Sequence, residues 1–329
     1  FLPLFFLFTL CVTSVYSQTA SWTQLGADID GEAAGDQSGY SVSYSADGTK
    51  VAIGAFNNDG GPGSNAGHVR IYNYTPSGTA SWTQLGADIN GEASADYSGH
   101  SVSLSADGTK VAIGAYGNDG SASNAGHVRI YNYTPSGTAS WTQLGADING
   151  EASGDNSGWS VSLSADGTKV AIGAIDNDGT AEGAGHVRIY NYNGTAWTQL
   201  GADIDGEAGG EYAGDNSGLS VSLSADGTKV AIGANANDGN GFNSGHVRIY
   251  NYTPSGTASW TQLGADIDGE ASSDYSGQSV SLSADGTKVA IGAYGNDGTA
   301  EGSGHVRIYN YTPSGTASWT QLGADIDGE

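Results

Sequence analysis

The chain has 329 residues, 54 of them glycine, with 37% hydrophobic residues and a formal net charge of -25. Its 10 lysines and arginines all fall at repeated positions, which leaves no spare basic patch to neutralise phosphates. Nucleic acid is therefore excluded as a partner, and an anionic membrane surface by the same argument.

Residues 1–17, FLPLFFLFTLCVTSVYS, form a short apolar run that ends in small residues. This reads as a secretory signal peptide cleaved near Ser17, so a secreted or cell-surface location is expected. The only cysteine, Cys11, lies inside it, and a mature chain without disulfides follows. The run is short for a membrane span and no second candidate occurs, so the mature chain is expected not to insert into a membrane. The missing initiator Met and the repeat restarting at 319–329 read as a piece of a longer secreted protein.

From residue 18 onward a unit of about 59 residues recurs, marked by Trp22, Trp82, Trp141, Trp197, Trp260 and Trp319. The spacings are 60, 59, 56, 63 and 59, with strand patterning and no helical period between the marks. A fixed period of this size signals a propeller or solenoid. Five repeats are delimited, 22–81, 82–140, 141–196, 197–259 and 260–318, followed by a partial sixth at 319–329. One unit cannot bury enough apolar surface to offset the ordering of its own backbone, so the units must stack.

Within the first unit, SVSYS (Ser41 to Ser45) alternates with period 2, as a half-buried strand does. KVAIGA (Lys50 to Ala55) follows across Ala46-Asp47-Gly48-Thr49, whose Asp-Gly predicts a tight hairpin. HVRIYNY (His68 to Tyr74) comes next, with Val69 and Ile71 on one face and Arg70 and Tyr72 on the other. SWTQLGADI (Ser81 to Ile89) makes a fourth strand. The predicted fold is all-β, a β-propeller of four-stranded antiparallel blades that is either an open arc or part of a larger ring. Alternating chain direction puts the long loops at one end, the loop face, with Asp28, Asp30, Glu32, Asp36 and Asp59. The hairpins and the sequons at Asn73, Asn132, Asn193, Asn251 and Asn310 lie at the other.

The string SGYSVSYSADGTKVAIGAFNNDG…GHVRIY resembles the FG-GAP class of propeller repeat over residues 22–318. Ser38-Gly39 stands for Phe-Gly, and Gly54-Ala55-Phe56 for Gly-Ala-Pro. The resemblance implies a propeller, commonly seven-bladed, that works in adhesion or ligand binding. Calcium-binding members carry an acidic loop between the first two strands. Here that connection is only Ser-Ala-Asp-Gly-Thr, so calcium binding of that kind does not carry over.

The nearest approach to a metal loop is Gly26-Ala27-Asp28-Ile29-Asp30-Gly31, which has Gly26 where a first ligand belongs. It reads as a solvated turn; no cofactor is expected, beyond weak divalent-cation binding at stacked acidic loops. His68, His127, His186, His246 and His305 come one per blade and are expected to pair with neighbouring acidic loops. Catalysis needs an asymmetric set of groups, and near-symmetry argues against an enzyme. Candidate ligand-binding residues come from positions where the copies differ: Tyr40, His100 and Trp159 after Ser-Gly, and Phe56, Tyr116, Ile175 and Tyr294 after Gly-Ala. Leu219, Gln278 and Asn235 complete the two sets, and Glu211-Tyr212 lie in a lengthened fourth unit. Exposed aromatics at these places suit stacking on sugar rings or a protein partner.

The expected function is non-enzymatic binding or adhesion to an extracellular glycan or protein through the loop face. The alternatives are a polysaccharide-active enzyme on the same scaffold, and a structural spacer in a larger surface protein.

Overall fold

A computed structural model describes residues 22–76, 81–135, 140–207, 214–254, 259–313 and 318–329. The expected leader and Glu211-Tyr212 lie outside the described residues. In the first unit the strands are β1 (Ser41–Tyr44), β2 (Lys50–Ala55), β3 (His68–Thr75), β4 (Ser81–Gln84) and β5 (Ile89–Asn90). They form an antiparallel sheet in the order β1-β2-β3-β4, with β5 also on β3, and the pattern recurs in five sheets. Among the described residues there is no helix of any length, and the chain is all-β, built of propeller-like repeats.

The fourth strand differs from its expected form. Leu85 N still donates to Ile71 O, but the chain then bulges through Gly86–Asp88 before β5 returns to pair Ile89 with Val69 and Asn90 with His68. Gly86 sits at φ 82°, the left-handed region that glycine enters without steric cost. The bulge points Asp88 back at the start of β3, where a regular strand would carry it past.

Burial explains why the units stack. Ala52, Val69, Ile71 and Ile89 of the first sheet pack on Leu104, Val111, Ile113 and Tyr131 of the second. The same clusters fill the next three junctions. Each core therefore lies between two blades, which is how a strand of period 2 buries both of its faces. Tight approach along the inner strands locks the junction: Ser41 Oγ donates to Gly99 O at 2.7 Å, and a Cβ on Gly54 would lie 2.0 Å from that oxygen. At the hairpin end, Lys50 Nζ donates to Asp107 O and Ala46 N to Ala106 O.

Among the described residues the two end faces are uncovered. Val42 and Tyr44 are each 58% exposed on the first sheet, and Ile326 is 57% exposed on the fifth. The five sheets thus form an open arc, with the first and last blades apart.

Candidate functional site

Two constellations stand out on the loop face, one unique and one repeated. The unique one lies at the inner ends of the first three blades. His100 sits just before an inner strand and is 8% exposed. Its ring lies 5.0 Å from Tyr40, 5.6 Å from Phe56, 4.7 Å from Tyr116 and 4.5 Å from Trp159, centroid to centroid. Tyr116 in turn lies 4.9 Å from Trp159 and stacks on Tyr97 at 5.0 Å with 6° between planes. Such offset and edge contacts hold rings at fixed angles.

One hydrogen bond fixes the imidazole. His100 Nδ1 lies 3.1 Å from Trp159 O, and because a carbonyl only accepts, Nδ1 carries the proton. In the neutral ring Nε2 is then the basic nitrogen. Burial lowers the pKa of His100 below its ordinary value, outweighing the hydrogen bond to Trp159 O that favours the protonated form. The ring is neutral at pH 7, a base with a defined tautomer. Burial also raises the Tyr116 hydroxyl, which keeps its proton and can donate it in a hydrogen bond.

Of the residues singled out from sequence, Tyr40, Phe56, His100, Tyr116 and Trp159 thus meet in one cluster. Ile175 is buried at 7% exposure, and Tyr294 stands apart, stacked on Tyr275 at 5.0 Å. Asn235 Nδ2 donates to Gln278 Oε1, so the fourth and fifth blades carry an amide pair where the first three carry rings. Tyr97 was missed. It precedes Ser-Gly at a position that also varies between copies (Gln37, Tyr97, Asn156, Asn216, Tyr275), all five at positive φ. The comparison of copies that found His100 would have found it too.

The repeated constellation joins a glutamate on the crossover into each blade, the histidine opening the third strand, and the aspartate of the outer-strand bulge. Glu32, His68 and Asp88 form the first group; Glu92, His127 and Asp147 the second; Glu151, His186 and Asp203 the third. Glu207, His246 and Asp266, then Glu270, His305 and Asp325, complete the set, with ligand atoms within 4.8 Å of one another in each. These groups could hold a metal ion. The histidines lie beside acidic loops, but burial pushes His127 and His186 down to about 4, so they face the carboxylates as neutral rings and not as charge partners. The arginine two residues on donates through NH2 to a backbone carbonyl near the start of its own unit, Asp30 O for Arg70, and stands over Tyr72 at 5.8 Å.

Between adjacent outer edges run shallow grooves, one of about 310 Å³ lined by Asp28, Asp30, Tyr72 and Trp82. The indole there is committed to structure, donating to Leu25 O at 2.8 Å.

No protein-family model matches the sequence, and no curated protein matches it. Solved structures do. A "putative 6-phosphogluconolactonase" from Bacteroides uniformis matches at TM-score 0.50 and 10% identity, over 88% of this chain and 86% of that one. Hydrazine synthase of Kuenenia stuttgartiensis matches at TM-score 0.50 and 13% identity, over 92% of this chain and 70% of that one. The periplasmic gluconolactonase of Pseudomonas aeruginosa follows at TM-score 0.46 and 14% identity, over 88% and 85%. At such identities the likeness is one of fold, and it fits the repeated sheets: the chain is a β-propeller, with no finding specific to the FG-GAP class.

The expectation of a non-enzymatic adhesion module needs correcting. Chains of this fold include a protein described as a lactonase, so the architecture does not speak against catalysis. Near-symmetry of the sequence does not exclude an asymmetric site either. Stacking three blades gathers their differing residues at one place, and a nearly symmetric sequence yields an asymmetric cluster around His100.

Proposed function

We propose that the chain is a carbohydrate-directed hydrolase that opens an uncharged sugar lactone or a related sugar ester. The observation that carries this reading is His100, a buried, neutral imidazole with Nδ1 bound to Trp159 O and aromatic rings on several sides. Rings of this kind bind the apolar face of a sugar, and a base with a pKa below neutrality is active at pH 7. Nε2 of His100 takes a proton from water as the water oxygen bonds to the lactone carbonyl carbon. The ring C–O bond then breaks and the proton passes to the departing oxygen, leaving the hydroxy acid. Tyr116 is the hydroxyl donor beside the base.

Two features narrow the substrate. Glycosidic cleavage uses a pair of carboxyl groups across the bond. The contacts described for His100 are to rings and a carbonyl instead, which favours acyl chemistry. A phosphorylated substrate would need a free cation, whereas the loop-face arginines are buried and turned to carbonyls and glutamates. A neutral lactone suits a chain with net charge -25 better. A leader over residues 1–17, as the sequence leads one to expect, would put this chemistry outside the cell.

A panel of aldonolactones, with and without a 6-phosphate, should be followed by acid release below pH 7.5, where spontaneous opening is slow. Turnover of a neutral lactone and none of its phosphate ester is expected. Turnover confined to the phosphorylated lactone, or none above the buffer rate, would overturn the reading.

A further inference from the structure

We infer that each Glu–His–Asp group is a binding site for a divalent first-row transition ion such as Zn²⁺ or Mn²⁺, five along the chain. An acidic cluster alone would say little. In the first and fifth groups a buried, unpartnered nitrogen points into it, and in the other three Nδ1 of the histidine lies 3.8 to 3.9 Å from a carboxylate of the group.

His68 is 1% exposed, and its Nδ1 has no hydrogen-bond partner. That atom lies 3.7 Å from Glu32 Oε2 and 4.0 Å from Asp88 Oδ2. His305 repeats the arrangement, with Nδ1 unpartnered, 3.8 Å from Glu270 Oε2 and 3.9 Å from Asp325 Oδ2. These separations are too long for hydrogen bonds, and an orphaned buried nitrogen is costly. An ion held at about 2.0–2.2 Å from each ligand sets ligand atoms roughly 3–3.5 Å apart, so a small inward move of two half-exposed carboxylates closes the site.

Each ligand is held in place by the fold. The bulge at Gly86 aims Asp88, whose Oδ1 accepts from Gln84 Nε2 while Oδ2 faces the histidine. The crossover turn is pinned by a buried aspartate: Asp96 Oδ2 accepts from Glu92 N and Ala93 N, both at 2.9 Å. Arg70 NH1 stands 3.7 Å from Glu32 Oε1, the oxygen turned away from the histidine, so it neutralises one side of the glutamate, while Oε2, which accepts from Asn58 Nδ2 at 3.5 Å, faces the histidine. The donor set decides the class of ion. One imidazole nitrogen with two carboxylates suits zinc or manganese, whereas calcium and magnesium call for oxygen alone. Three protein ligands and exposed carboxylates leave the remaining positions to water. In a mature chain without cysteine, the ion would tie the entering crossover to two strands of its blade.

The test uses the whole chain, stripped with a chelator, dialysed against Zn²⁺ and assayed for bound metal by elemental analysis. About five ions per chain are expected, unaffected by equimolar Ca²⁺. His68→Gln and, independently, the surface change Glu32→Gln should each lower the count by one. A wild-type count below one, a count that neither variant moves, or full displacement by Ca²⁺ would each overturn the inference. Because the readout is bound metal, it is separate from any result on lactone turnover.

Discussion

At Gly173 a methyl group would lie 2.0 Å from the backbone oxygen of Gly218 on the next blade and 2.5 Å from Ser160 Oγ. The Gly218 side is backbone and has no room to yield. Gly292 holds the same strand position in the fifth blade, where the nearest atom is Ser279 Oγ at 2.5 Å and the close atoms all belong to its own blade. Gly173→Ala should therefore cost about 1–3 kcal/mol or more, as overpacking does, while Gly292→Ala costs under about 1 kcal/mol. Urea midpoints of the two variants measure the difference. Equal losses would mean that the glycine serves its own strand and not the junction. At the same scale the sequence was informative about identity and silent about company. Variation between copies exposed Tyr40, His100 and Trp159, but that their rings meet depends on the angle between blades, which no single repeat encodes.

The hairpin between β1 and β2 is the element most fully legible beforehand, because its chemistry is local. Asp47 Oδ1 accepts from Ser45 Oγ at 2.7 Å, Thr49 N at 2.9 Å and Thr49 Oγ1 at 2.8 Å. Those bonds, the serine hydroxyl foremost, lower its pKa from 3.8 to about 2. A carboxylate depressed in the folded state contributes stability that is complete above the unfolded pKa and is lost as pH falls through the folded one. Asp47→Asn should thus lower the melting temperature at pH 7 and leave it close to wild type near pH 2. A deficit that persists unchanged at pH 2 would show that shape, and not charge, sets the turn. The outer strand was less legible. Period-2 reading carried it unbroken from Ser81 to Ile89, whereas Gly86 at φ 82° bends it and aims Asp88 at His68. A glycine in a strand pattern marks many things, and only pairing on both sides of it shows a bulge. That bend is why the Glu–His–Asp groups escaped a search by ligand spacing: Glu32 and Asp88 lie on either side of His68, far apart in the chain.

The described residues form five blades whose cores lie at their junctions, so stability and site share one cause. Stacking buries Val69 and Ile71 against Val111 and Ile113, and the same stacking brings His100 within 4.5 Å of Trp159. The repeat period foretold the architecture because it fixes how many sheets exist and which faces are apolar. It misled on function, since symmetry of sequence was taken for symmetry of surface. His100 acting as a base is what turnover depends on most, and the pH dependence of the rate tests it directly. With a neutral aldonolactone, kcat/KM should fall as pH drops through a pKa below 6.5 and stay level from there to neutrality, because only the unprotonated ring takes a proton. His100→Gln should lower kcat about 100-fold or more without shifting the melting temperature by more than a few degrees. A rate with no step in that range, or a glutamine variant as fast as wild type, would contradict the assignment.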